Sequence, residues 1–467
     1  MLRQYQEEAL EDLRRAIRSG DKRILFEASV GWGKSVAIQC VSHGYAKSGR
    51  PVLVLSNRTA VVDQLRKRAA GSDLITATTV QAADWRLDKL TPPAVILADE
   101  IHMGGAAAQY GRVFGAFPDA IIIGFTGTPK PETFDTFPCH VKARGARWLT
   151  EKGFLAPLRY VCPDPLDLSR VAVRGGEYDE AQVMELLQER RLYADALETY
   201  RTHGRGVPTL GFCVNVKHAT DTADEFRKAG HACEVLTGKD RPEEVQRKIA
   251  CLADGGLCFS VDKVSAGFDM PDLRVLLSLR PTKSEQLWVQ QLGRAARASD
   301  GKPFGLVLDH VGNTLRLGTL TEERDWRASD EDKAQRTTET GDSLSVRQCG
   351  ECMAAFESGP SCCPDCGASL AKETRIPRSE SVRLREMQEA EIEAQRKAAA
   401  EAAAALRARL GQSIPQMRAW IPARTPGQAH RKAVDNMRGR LDRALRDGDE
   451  ELEAFCRDQL RRFGGGR

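Results

Sequence analysis

No uninterrupted apolar run of about 18 residues occurs anywhere in the chain, which excludes an ordinary membrane-spanning helix. The N-terminal stretch Leu2-Arg3-Gln4-Tyr5 also lacks the basic-then-apolar pattern of a signal peptide. Together these absences point to a cytoplasmic protein with no membrane partner. A large excess of either charge is missing as well: 69 basic side chains stand against 65 acidic ones, a net of +4. That balance hides a gradient. Residues 371–467 hold 21 basic and 15 acidic side chains (net +6), and the rest hold 48 and 50 (net −2). A positive tail suits a phosphate backbone, and it equally suits a solvated helical face. What remains is an ordinary globular composition, 41% apolar and 29% charged, over 467 residues, enough for two or three domains.

The strand-like run Arg23–Glu27 leads into Ala28-Ser29-Val30-Gly31-Trp32-Gly33-Lys34-Ser35, followed by helix-forming residues from Val36 to Gln39. Gly31 and Gly33 let main-chain N–H groups turn toward phosphate oxygens with no Cβ in the way. The loop opens onto a helix N-terminus, whose unpaired N–H groups and dipole favour an anion. Lys34 is then placed for the β- and γ-phosphates of a nucleoside triphosphate, and the Ser35 hydroxyl for Mg²⁺. A Gly-rich turn with a solvated lysine is the plainer alternative, since Ala28 stands where such loops usually carry their first glycine. Further on, Val95–Ala98 reads as a buried parallel strand that ends in Asp99-Glu100. At the carboxyl edge of an open α/β sheet, Asp99 suits the Mg²⁺ and Glu100 suits the attacking water.

The third piece is Gln290-Gln291-Leu292-Gly293-Arg294-Ala295-Ala296-Arg297, whose spacing predicts a helix with Arg294 and Arg297 on one face. Guanidinium groups stay charged and fork onto phosphate oxygens. Aimed at a phosphoryl-transfer transition state, one such group contributes roughly 10³–10⁵ in rate. Lys34 and Arg297 lie too far apart in sequence for one small domain, so a site using both requires two domains facing each other across a cleft. Alternating strand-like and helix-like runs predict two parallel-sheet α/β domains, over residues 1–150 and 151–335. Strands of the second are expected near 209–214, 232–236, 257–261, 275–278 and 305–308.

Of the thirteen cysteines, seven are scattered singly before residue 260, Cys456 lies near the C-terminus, and five crowd between Cys349 and Cys366. Cys349 and Cys352, a ten-residue spacer, then Cys363 and Cys366 have the two-knuckle spacing of a zinc ribbon, over 345–372. Four thiolates close a tetrahedral Zn²⁺ site and stabilise a segment too short to bury a core. In a reducing compartment this reading outweighs disulfides. Cys362 is the spare, interchangeable with Cys363 on spacing alone. Such a ribbon either folds a linker or touches nucleic acid. Beyond it, Ala/Glu/Arg-rich residues 379–411 predict one long helix, and 424–464 predict a helical hairpin with apolar stripes. The hairpin packs on itself or docks on a protein partner, and its arginines are candidates for DNA.

In this order the pieces resemble superfamily-2 helicases, and among them the bacterial and phage DEAD/DEAH-like group close to the restriction-type motor, over roughly residues 1–330. Leu2–Gln6 is similar to the adenine-reading motif, which implies Gln6 on the adenine edge. The loop matches motif I, which puts Gly31, Trp32, Gly33, Lys34 and Ser35 at the nucleotide. Val54–Arg58 and Thr79-Val80-Gln81 resemble the strand-contacting motifs, implying that Arg58, Thr79 and Gln81 touch nucleic acid. Asp99–His102 matches the Asp-Glu-x-His box, and Phe125–Pro129 resembles motif III, which links ATP state to grip. Ser265–Pro271 resembles motif V, implying that Gly267 and Asp269 lie near the ribose. Gln290–Arg297 matches motif VI and adds Gln290 to the two arginines. Departures are the bulky Trp32 and Ala266 where an acid is frequent.

The resemblance implies two tandem RecA-like parallel-sheet domains, followed here by the zinc ribbon and an α-helical tail. It implies ATP and Mg²⁺, and an ATP-dependent helicase or translocase on single-stranded, branched or duplex DNA. RNA stays an alternative partner, because nothing in the sequence reads a 2′-OH. No nuclease-type carboxylate cluster is present, so cutting would need a partner subunit.

Overall fold

The computed structural model describes residues 2–57, 59–69, 72–101, 107–163, 166–189, 192–204, 206–253, 255–261, 273–328 and 346–370. The expected long helix and helical hairpin lie outside these residues, as do Arg58, His102, Gly267 and Asp269. All described residues belong to the compact unit formed by residues 1–371.

The first sheet holds β1 (Arg23–Glu27), β2 (Val52–Ser56), β3 (Ile75–Thr79), β4 (Val95–Asp99), β5 (Ile121–Thr126) and β6 (Cys139–Lys142). They run in the order β3-β2-β4-β5-β1-β6, and every pairing is parallel. Successive residues of a strand point to opposite faces, and here both faces are covered. Ile24, Phe26, Val54 and Leu97 join one apolar cluster, while Leu25, Leu55, Ile96 and Ala98 join another. That two-sided burial is why these strands read as continuous apolar runs instead of alternating ones.

The second sheet is built from β7 (Leu158–Val161), β10 (Thr209–Phe212), β11 (Cys233–Leu236), β12 (Leu257–Ser260), β13 (Val275–Ser278), β14 (Gly305–Asp309), β15 (Val346–Gln348) and β16 (Ala354–Glu357). A short separate hairpin pairs β8 (Val173–Arg174) with β9 (Glu177–Tyr178). The sheet order is β11-β12-β10-β13-β14-β7-β16-β15. Its first six strands are parallel, and β16 and β15 add to the β7 edge in antiparallel fashion. The cysteine segment is therefore continuous with the second lobe, because its hairpin supplies two strands of that lobe's sheet. Glu357 on β16 accepts hydrogen bonds from Thr319 (2.9 Å) and Thr321 (2.7 Å) and pairs with Arg147 (2.8 Å). Covering β7 in this way moves the sheet edge outward to β15.

The expected two parallel-sheet α/β lobes followed by a cysteine cluster are thus present. One apolar cluster runs through both lobes, from Phe26 and Trp32 by way of Leu155 to Trp288 and Leu292. Among the described residues no helix is long and apolar enough to cross a membrane.

Candidate functional site

Where β1 ends, the chain turns into a tight loop. The Ala28 N–H donates to the Thr126 carbonyl at the end of β5 (2.8 Å), and the Trp32 N–H returns to the Ser29 carbonyl (3.2 Å). Gly31 and Gly33 have φ of +75° and +102°, the left-handed region that side chains disfavour. Gly33 caps the helix Lys34–Lys47, so the loop delivers the free N–H groups of a helix start to its concave side. The Lys34 ammonium lies 3.3 Å from the Ala28 carbonyl and 3.5 Å from Glu100 Oε1. Gly127 sits on this loop so closely that a Cβ there would stand 2.7 Å from the Ala28 carbonyl and 3.1 Å from Lys34 Nζ. The buried hydroxyl oxygens of Ser29 and Thr128 make no hydrogen bond among the described residues. Orphaned hydroxyls beside a half-buried ammonium are the donor set that an oxygen-rich anion would satisfy.

The carboxylates stand level with the loop because the strands are in register: Glu27 pairs with Thr126, and Asp99 with Phe125. Asp99 is buried as the last residue of β4. Glu100 follows at φ +51°, a backbone strain of about 1–3 kcal/mol for a residue with a side chain. Ser35, the second residue of the loop helix, and Asp99 are a hydroxyl and a carboxylate of the kind Mg²⁺ takes. The Tyr110 hydroxyl donates to the Asp99 carbonyl (3.2 Å). Burial, aided by the charges of Asp99 and Glu100, raises its phenol far above the usual range.

Gln6 lies against the loop itself. Its Nε2 donates to the Trp32 carbonyl (3.0 Å) and its Oε1 accepts from the Arg3 N–H (3.0 Å). A base could use only the remaining amide hydrogen and lone pair. Trp32, expected among the nucleotide-binding residues, turns its ring away. The indole is fully buried between Tyr5 (ring centroids 5.7 Å apart) and Phe26 (5.4 Å), so only its main chain belongs to the loop.

The second lobe brings its arginine segment to the same place. Ser284 caps the helix Glu285–Ala295, its hydroxyl accepting from the Leu287 N–H (3.2 Å). Gly293 on this helix packs on the phosphate-loop candidate, where a Cβ would stand 2.6 Å from Val30 Cβ. Gln290 is half-buried and Arg294 buried. The expectation that Arg294 and Arg297 share a helix face needs correction, since the helix stops at Ala295. Arg297 instead pairs with Leu155 in an isolated antiparallel bridge, beside an Ala156 N–H bond to the Ala296 carbonyl (2.8 Å). Leu155 in turn packs on Gly31, within 2.5 Å of where a Cβ would be. Long-range pairing with residues about 140 positions earlier ended the helix, and local periodicity carries no trace of it.

Thr79 ends β3 and caps the helix Val80–Asp84, its hydroxyl accepting from the Ala82 N–H (3.2 Å). Gln81 is exposed. One residue missed from sequence is Trp85, which is 90% exposed and whose N–H bonds the Gln81 carbonyl (3.1 Å). Its neighbour Asp84 is gripped by both arms of Arg112 (2.8 and 2.5 Å). A tryptophan amid Asp84, Arg86 and Asp88, outside any apolar pattern, was the available signal.

The four sulfurs of Cys349, Cys352, Cys363 and Cys366 all lie within 4.8 Å of one another. Cys349 to Cys366 is 3.7 Å and Cys352 to Cys363 is 3.6 Å, close to the ~3.8 Å edge of a tetrahedron with Zn–S bonds of about 2.3 Å. Each knuckle closes alike: Cys349 N–H on the Ala354 carbonyl and Cys363 N–H on the Ala368 carbonyl, both 2.8 Å. The N–H groups of Cys352 and Glu351 lower the Cys349 thiol to about 7. The donor set and spacing therefore fit zinc. Cys362 is not among the four clustered thiols, which favours Cys363 where spacing left the choice open.

Two family descriptions match the chain: "Type III restriction enzyme, res subunit" over residues 1–73 and "Helicase conserved C-terminal domain" over residues 191–299. A Lactococcus phage protein named only "51.5 kDa protein" is 28% identical over 384 residues, 79% of this chain and 81% of that one. "Putative ATP-dependent helicase IRC3" of Saccharomyces cerevisiae is 25% identical over 357 residues, 67% of this chain and 52% of its own length. Among solved structures, a fragment of "a putative HsdR subunit of a type I restriction enzyme" from Vibrio vulnificus superposes with a TM-score of 0.55 at 20% identity. That match covers 70% of this chain and 67% of the fragment, and at such identity it is a likeness of fold, two RecA-like lobes.

Proposed function

We propose that the chain is an ATP-dependent motor of the superfamily-2 helicases, of the restriction-type group that its two matching domains support, and that it moves along DNA and separates its strands. The observation that carries this reading is the meeting of the Ala28–Lys34 loop, Glu100 and the Gly293–Arg297 segment at one place. In the proposed site the loop N–H groups and Lys34 hold the β- and γ-phosphates, while Gln6 reads the adenine edge. Ser35 and Asp99 would hold Mg²⁺, which when bound neutralises charge on the transferred group. Glu100 orients or deprotonates the attacking water. Arg294 and Arg297, with Gln290 beside them, take up transition-state charge from the opposite lobe. Gly267 and Asp269 keep their proposed place near the ribose.

On the first lobe, Thr79, Gln81 and Arg58 are proposed to grip the strand's phosphates, contacts that carry no sequence preference and weaken with salt. Trp85 adds an exposed ring on which a base can stack. Zn²⁺ in the four-cysteine site would keep β15 and β16 fixed on the second lobe.

The test is ATP turnover with single-stranded DNA, duplex, fork and RNA as stimulants, alongside strand displacement on forked and blunt duplexes. The expected result is DNA-stimulated hydrolysis and displacement on the fork. Lys34→Ala should lose turnover yet keep DNA binding. Stimulation without displacement would mark a duplex translocase, RNA-selective stimulation an RNA helicase, and no turnover at all a nucleic-acid-binding scaffold.

A further inference from the structure

Lys302 is buried, yet it carries an ammonium group that needs three acceptors. It finds them all on the main chain: the carbonyls of Leu273 (2.5 Å), Ala295 (2.7 Å) and Arg297 (2.8 Å). Ala295 is the last residue of the arginine helix, where carbonyls lack intrahelical partners and the helix dipole favours a cation. Arg297 lies beyond that end, so the helix does not fix its direction. Its backbone is held from one side by Leu155, which packs on Gly31 of the phosphate loop, and from the other by Lys302. Leu273 begins the chain that enters β13, so the same ammonium also ties the arginine segment to the sheet.

We propose that Lys302 is a positioning residue for ATP hydrolysis, which sets where Arg294 and Arg297 point by clamping the end of the helix that presents them. The inference rests on the reading that these arginines face the triphosphate. It assigns Lys302 no contact with the nucleotide. A displaced arginine weakens transition-state binding and leaves ground-state binding of ATP nearly intact, which shows as a fall in kcat at constant KM.

The experiment compares Lys302→Met, Lys302→Gln, Arg294→Ala and Arg297→Ala in the full chain. It reads kcat and KM for ATP, affinity for ADP with and without aluminium fluoride as a transition-state mimic, and thermal unfolding. Lys302→Met is expected to lower kcat about tenfold or more with KM within about twofold, and to weaken binding of the mimic but not of ADP. Lys302→Gln, which still donates to two carbonyls, should fall between it and the parent, and it carries the comparison if Lys302→Met does not fold. Lower thermal stability with unchanged kcat and unchanged mimic binding would overturn the proposal and leave a purely structural lysine. Failure of the arginine reading looks different: Arg294→Ala and Arg297→Ala would then keep the parental kcat.

Discussion

In the lobe that carries Lys34, the proposed phosphate and Mg²⁺ residues sit at a strand end, in the loop leaving one or at the start of the helix that follows. In the lobe that carries Arg294 and Arg297, the elements hang on contacts from distant parts of the chain. Parallel strands in register set the first half: β1, β5 and β4 end level, so Ala28, Gly127 and Glu100 meet without further support. The second half is a helix end clamped by Lys302, a bridge to Leu155, and a glycine pressed on Val30. The lesson is that half of the proposed site is set by one sheet, while the other half is set by a few long-range tethers.

Three substitutions probe this contrast, beginning with the largest effect. Glu100→Gln removes the proposed base from the sheet-built half and should slow hydrolysis by about 10²–10⁴ while leaving ATP bound. Rapid-quench hydrolysis with a nucleotide-retention assay checks it, and a parental rate would remove Glu100 from the chemistry. Gly293→Ala attacks the tethered half. The new Cβ meets the branched carbon of Val30, which cannot swing aside, so either the helix or the loop must shift. Overpacking of this kind costs about 1–3 kcal/mol, and the expected signature is a kcat loss exceeding that of Gly111→Ala, a control position with open space around its Cα. Equal kcat for the two variants would mean that the lobes do not work in contact there.

The smallest effect concerns the two cysteine knuckles, which carry different residues just after the second cysteine. Gly367 and Met353 both follow the second cysteine of a pair with positive φ, +75° and +61°. Methionine pays a steric penalty that glycine does not, so Met353→Gly should stabilise the zinc-loaded protein by up to about 1 kcal/mol. Thermal unfolding read before and after zinc chelation checks this, with the gain expected to vanish once the metal is removed.

Legibility followed the same divide. Strand β1 and the glycine loop were readable because apolar runs, glycine φ and a helix start are local properties. The strands β10 to β14 were found within a residue or two for the same reason. Strand β7 was not foreseen, since Leu158–Val161 becomes a strand only by pairing with Gly305–Leu308 and Ala354-Ala355. The same pairing makes the cysteine hairpin part of the second lobe, which cysteine spacing says nothing about. Arg297 left the helix for a partner that sequence could not name. Resemblance implied Gln6 on the adenine edge, but its bond to the Trp32 carbonyl of the glycine loop comes from tertiary packing.

The central claim is tested most directly by the single-turnover hydrolysis rate of Arg297→Ala at saturating ATP, with ATP affinity measured on the same sample. A group from the second lobe acting on a triphosphate held by the first should, when removed, slow hydrolysis by roughly 10³ or more with affinity little changed. Hydrolysis at the parental rate would contradict it.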